Sequence, residues 1–114
     1  MKVFQHLPEI IRLEHHHLPF IKTLEDRNIA AHIGYHDTLS EEPLTLKLLY
    51  LLGVGSFATV QRRLARLVNM GVVVKRRHGE DRRSLTLHLS AAAKRDYRRY
   101  AVALASIPRA SPKP

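Results

Sequence analysis

Ser56-Phe57-Ala58-Thr59-Val60-Gln61-Arg62-Arg63-Leu64-Ala65-Arg66-Leu67-Val68-Asn69-Met70-Gly71 is the stretch on which the reading of this chain turns. Phe57, Val60, Leu64 and Leu67 recur at i, i+3, i+7 and i+10, with Val68 beside them. That spacing predicts a helix over 57–70 with one inward apolar side. Thr59, Arg62, Arg66 and Asn69 fall on the opposite side, flanked by Gln61 and Arg63. Ser56 is a good N-cap, and Gly71 stands where a glycine closes a helix.

Working outward, Leu44-Thr45-Leu46-Lys47-Leu48-Leu49-Tyr50-Leu51 predicts a short helix, apolar on nearly all sides and therefore buried on several of them. Gly53 and Gly55 permit a sharp turn into Ser56. Past Gly71, Val72–Arg77 is a strand candidate. In Ser84-Leu85-Thr86-Leu87-His88-Leu89 the leucines alternate with polar residues, as on a half-buried strand. A charged hairpin loop centred on Gly79 joins the two. Helix, turn, basic helix, two strands and a basic loop over 44–90 make a winged helix-turn-helix: mainly α, with a small β-hairpin wing. That order of parts sets one helix in a DNA major groove and a hairpin (75–89) at the minor groove or backbone beside it.

The flanks read as helical. In residues 1–39, Leu7, Ile10, Ile11, Leu18, Ile21 and Leu24 recur at helical spacing; Pro8 suits a first turn and Pro19 should divide the segment. Thr23-Leu24-Glu25-Asp26 resembles a helix start, and Ile29, Ile33 and Tyr35 carry an apolar side onward. Ser40-Glu41-Glu42-Pro43 is a loop. A last helix is expected over 91–107, with Tyr97, Tyr100, Ala101, Leu104 and Ile107 along one side; 108–114 reads as a disordered tail. All 114 residues are expected to form one domain.

Charge is lopsided. Residues 1–52 hold five Lys/Arg against seven Asp/Glu, and residues 53–114 hold fourteen against three, so a net +9 resolves into −2 and +11. A merely solubilising surface does not predict that split; a polyanion-facing one does. There is no cysteine, which excludes disulfides, thiolate metal sites and thiol redox sensing and fits a cytoplasmic protein. No apolar run is long enough to span a bilayer.

Two kinds of contact are expected at the basic face. Ser56, Ala58, Thr59 and Arg62, at the start of the helix, are the candidates for reading bases, with Gln61 also in reach. Arg pairs bidentately with guanine, Gln with adenine, and Thr offers a methyl or hydroxyl, each good bidentate pair discriminating by about 1–3 kcal/mol. Arg63 and Arg66 are expected to brace phosphates, which sets affinity but not sequence. Lys75, Arg76, Arg77, Arg82 and Arg83 crowd the wing, a density that phosphates or a narrow minor groove would relieve, and Asp81 is expected to orient an arginine there.

Other chemistry finds little support. His15-His16-His17 in one helix cannot all face one way; His32 and His36, with Asp37 adjacent, have acceptable ligand spacing but too few ligands, so no metal and no cofactor is expected. No nucleophile, base or carboxylate pair sits on a credible scaffold, so no enzymatic activity is expected. The alternative function is a non-enzymatic module using the same basic face on RNA, a replication origin or a protein complex. Aromatics are 6% of the chain, and stacking rings are what RNA readers usually expose.

Ala58-Thr59-Val60-Gln61-Arg62-Arg63-Leu64, Leu67, Gly71-Val72-Val73 and Asp81-Arg82-Arg83-Ser84 running into Leu89-Ser90 together resemble the MarR family of bacterial transcription regulators, over residues 44–94. The resemblance implies a cytoplasmic, DNA-binding homodimer in which the helix from Phe57 reads bases, Asp81 orients a neighbouring arginine and Arg83 enters the minor groove. It also implies relief of repression by a small, often aromatic, effector. The chain departs from the family pattern at Tyr50, where members often carry alanine, and at Ala91-Ala92-Ala93 after the second wing strand. It also has about one C-terminal helix where members have longer ones.

Overall fold

The computed structural model describes residues 2–77 and 85–108. A 3-10 turn (Lys2–Phe4) leads into α1 (Leu7–His17), with Pro8 in the first turn, where a missing N–H costs nothing. α1 stops ahead of Pro19. The Leu18 N–H still reaches the Glu14 carbonyl at 2.8 Å, and then Leu18, Phe20 and Ile21 drop into the core. Two residues of the expected stripe, Ile11 and Leu24, are instead exposed.

α2 (Leu24–Leu39) starts at a full capping box: Thr23 Oγ1 accepts the Asp26 N–H at 3.1 Å, and Asp26 Oδ2 accepts the Thr23 N–H at 3.2 Å. Ile29, Ala30 and Ile33 are fully buried, so α2 is the central helix; it packs on α4 (Phe57–Asn69) and on the sheet.

At Leu44 the structure departs from the sequence reading. Leu44–Thr45 is a short strand, β1, and not the start of a helix. Its residues pair antiparallel with the middle of the second wing strand, Leu44 opposite Leu87 and Thr45 opposite Thr86. Only Leu46–Leu51 winds into α3, capped by Thr45, whose Oγ1 accepts the Leu48 N–H at 3.1 Å. Six residues make fewer than two turns, so one side alone meets the core. Leu49 is buried there, whereas Leu51 is 71% exposed. The expectation of a helix buried on several sides is therefore corrected.

Ser56 caps α4, its Oγ accepting the Thr59 N–H at 3.2 Å. Val60, Leu64 and Leu67 form the buried side as the spacing predicts. Phe57 does not join them. It sits in the first turn, before the helix reaches the core, 62% exposed with its ring leaning on Tyr50 at 4.5 Å between centroids. α4 ends in a Schellman motif: the Gly71 N–H donates to Val68 O at 3.0 Å and the Val72 N–H to Leu67 O at 2.9 Å, with Gly71 at φ +74°.

β2 (Val73–Arg77) and β3 (Leu85–Leu89) pair antiparallel from Val73–Leu89 to Arg77–Leu85, in the sheet order β1-β3-β2. β3 is thus the central strand. That is why Thr86, expected on a polar outer side, is buried: it lies between Thr45 and Arg76. Ser90 caps α5 (Ala91–Ala105), which packs along α1. With principal extents of 58 × 26 × 24 Å and a radius of gyration of 16.1 Å, against roughly 13 Å for a compact chain of this length, the fold is elongated. No described helix is long and apolar enough to cross a membrane.

Candidate nucleic-acid interface

The outward side of α4 follows from its inward one. At roughly 100° per residue, the arc opposite Val60, Leu64 and Leu67 carries Ala58, Gln61, Arg62, Ala65 and Asn69, and all five are exposed. Ser56 is exposed at the mouth of the helix. Thr59 is half-buried, and its hydroxyl accepts from Ser56 Oγ at 2.9 Å, so part of its polar capacity goes to the cap. Ala65 had no role in the sequence reading. Its small side chain at the centre of the outer arc would let a partner approach the helix closely.

Arg63 and Arg66 lie elsewhere. Both turn to the flank of α4 that meets α2 and converge on Asp26, which is fully buried. Arg63 grips the carboxylate bidentately: Nε donates to Oδ1 at 2.7 Å and Nη2 to Oδ2. Arg66 Nη1 donates to Asp26 Oδ2 at 3.1 Å and to the Phe20 carbonyl at 2.8 Å. The same Oδ2 accepts the backbone N–H of Lys22 at 2.9 Å. Burial on its own would raise the Asp26 pKa. The hydrogen bonds from Arg63 and Lys22, together with the positive charges of Arg63 and Arg66, outweigh that and hold it below the usual carboxylate value. The expected phosphate braces are, in the free protein, committed to this ion-pair cluster.

In the wing, Lys75, Arg76 and Arg77 are exposed on the outer half of β2. Among the described residues no ion pair engages the side chains of Arg62, Lys75, Arg76 or Arg77. The wing-tip candidates Asp81, Arg82 and Arg83 lie outside the described residues.

A second polar node holds the root of the wing. Asp37, which the sequence placed beside His32 and His36, bonds instead to the sheet: Oδ1 lies 2.9 Å from His88 Nδ1, and Oδ2 accepts from the Leu89 N–H at 3.1 Å and from Lys94 Nζ at 3.0 Å. A carboxylate accepts only, so His88 donates from Nδ1. Its Nε2 is 2.8 Å from the Thr86 hydroxyl. Burial opposes ionisation of Asp37, but the bonds from His88, Lys94 and the Leu89 N–H hold its pKa below the usual value. A third pair, Arg27 to Glu14 at 2.7 Å, ties α2 to α1. Sequence reasoning missed all three. Its one clue was Asp26 at the third position of a capping box, and nothing local marks partners 37 and 40 residues away. Among the described residues no group of three or more His, Asp or Glu is arranged to hold a metal ion.

A cleft of about 410 Å³ opens where α2, α5 and the end of β3 meet, and its lining includes Gly34, Tyr35, Leu89, Lys94, Tyr97 and Arg98.

No protein-family model and no curated protein sequence matches the chain. Solved structures do. The disulfide-formed AbfR superposes with a TM-score of 0.61 at 20% identity, over 91% of this chain and 68% of that one. AbsC, a MarR family transcriptional regulator from Streptomyces coelicolor, gives 0.58 at 21% identity, over 96% of this chain and 80% of that one. MarR gives 0.56 at 17% identity, over 91% and 81%. The chain has the winged-helix fold of MarR-type regulators, mainly helical with a small antiparallel sheet.

Proposed function

We propose that this protein is a sequence-specific, double-stranded DNA-binding transcriptional regulator, with α4 in the major groove and the β2–β3 hairpin at the adjoining minor groove or backbone. The observation that carries this reading is the outer arc of α4. On a fold of this type it carries Gln61 and Arg62, exposed and without an ion-pair partner among the described residues, next to a strand ending in Lys75-Arg76-Arg77. Arg62 and Gln61 have the donor geometry for guanine and adenine edges; Ser56, Ala58 and Thr59 stand at the deepest-entering end. Lys75, Arg76 and Arg77, with Arg82 and Arg83 of the loop, supply phosphate and minor-groove contacts, and Asp81 directs one of those arginines.

The active form is a homodimer, as the resemblance of its sequence to the MarR family implies. Val3, Phe4 and Ile11 at the N-terminal end and Val102 on α5 leave apolar surface exposed on the helical layer away from α4, which a second copy would cover. The α2–α5 cleft is the natural seat of a small effector with an apolar ring and one acidic group, which Arg98 would meet.

The test is selection from a random duplex-DNA library with the full chain. The expected product is a pseudo-palindrome with half-sites about one helical turn apart. Arg62→Ala then relaxes preference at one base position, while Arg83→Ala lowers affinity evenly and flattens the salt dependence by about one unit of slope. Recovery of no motif would refute the reading.

A further inference from the structure

We infer that Asp26, Arg63 and Arg66 form a positioning clamp, which aims α4 from the α1–α2 junction and takes no direct part in holding phosphate. The inference rests on the DNA reading above and concerns what sets the orientation of that same helix.

Three features of the structure converge. First, the clamp joins α4 to the α1–α2 junction, 37 to 46 residues earlier in the chain. Asp26 opens α2, the Phe20 carbonyl belongs to the link leaving α1, and both receive guanidinium groups from the middle of α4. Second, Asp26 is saturated. Its Oδ2 alone accepts from the Lys22 and Thr23 N–H groups, Arg63 and Arg66, while Oδ1 takes the second Arg63 bond. A carboxylate so filled cannot shift without breaking several bonds at once, and a bidentate guanidinium fixes angle as well as distance. Third, Arg63 and Arg66 are one helical turn apart on a single flank of α4, with the Val60–Leu64–Leu67 side adjacent. The apolar side alone permits α4 to roll, because methyl contacts are not directional. The clamp on its flank stops the roll and so decides which side chains of the outer arc point into a groove.

Releasing Arg63 or Arg66 to a phosphate would leave Asp26 buried and short of partners, so the free arginine is not the resting state. A corollary is that α4 follows the Phe20–Thr23 link. A displacement of α1 re-aims the reading helix through this link.

The test compares wild type with Asp26→Asn, Arg63→Gln and the double variant, on the duplex selected by wild type and on an unrelated duplex, across a salt series. Circular dichroism fixes a temperature at which every variant is folded. The clamp predicts that each single change lowers affinity for the selected duplex roughly tenfold or more, as loss of one well-aimed base contact would. Affinity for the unrelated duplex and the salt slope stay as they were, and the double variant is no worse than the worse single one. If Asp26→Asn is too unstable to assay, Arg63→Gln and Arg66→Gln carry the same expectation. The opposite result overturns the clamp: Asp26→Asn binds every duplex more tightly with a steeper salt slope, or Arg63→Gln flattens that slope by about one unit, as removal of a phosphate contact would. If wild type selects no sequence, the DNA reading fails, and the clamp's role in it with it. If wild type selects one and the salt slopes move, the clamp alone fails.

Discussion

Asp37 and Asp26 show how single carboxylates tie remote elements together here, and both make the fold sensitive to acid. Each is shielded from water yet ionised, because cations and N–H donors surround it: the His88 ring N–H, Lys94 and the Leu89 backbone N–H for Asp37; Arg63, the Lys22 backbone N–H and Arg66 for Asp26. Their folded pKa values lie below the unfolded carboxylate value of about 3.9. The unfolded chain therefore binds more protons in that range, and stability falls with falling pH. The contribution is complete above about pH 5 and is lost as pH drops through the lowered folded values. Thermal melts between pH 7 and pH 3 should show this decline below about pH 4 in wild type. Asp37→Asn should be less stable at pH 7 and decline less steeply. An unchanged slope in the variant would mean that Asp37 is not ionised in the folded protein.

The elements divide by how local their causes are. α4, β2 and β3 were legible because period and punctuation lie within each segment: apolar residues at helical spacing, Ser56 before, Gly71 after, leucines alternating beyond. Gly71 is a direct test of that punctuation. At φ +74°, with open space where a Cβ would stand, Gly71→Ala meets a backbone cost and no clash. It should cost about 1–2 kcal/mol and lower the melting temperature by several degrees. A melting point within a degree of wild type would contradict the Schellman ending. β1 was not legible, since Leu44 and Thr45 are strand only because β3 offers an edge more than 40 residues later. Phe57 obeyed the period but not the core, since the first turn of α4 stands clear of it. The interface was half legible on the same grounds. Exposure of Gln61 and Arg62 follows from position on the helix, whereas the fate of Arg63 and Arg66 depended on a carboxylate in another helix.

At the scale of the whole molecule, the chain has two ends with different surfaces. The α1–α5 pair carries exposed apolar residues, and the cleft opens between α5, α2 and the end of β3. The outer arc of α4, with Gln61 and Arg62, and the arginine-rich hairpin follow within the +11 half of the sequence. Both surfaces are expected to meet one duplex, and a chain without cysteine allows this to be read directly. A single cysteine introduced as Gln61→Cys or as Arg77→Cys can carry an iron chelate that cuts DNA only where it is held close. With each labelled protein on the duplex it selects, we expect cuts from position 61 within one major groove and cuts from position 77 in the minor groove beside it. Cuts from only one of the two positions, or cuts from both scattered evenly along the duplex, would show that α4 and the hairpin do not face one duplex together.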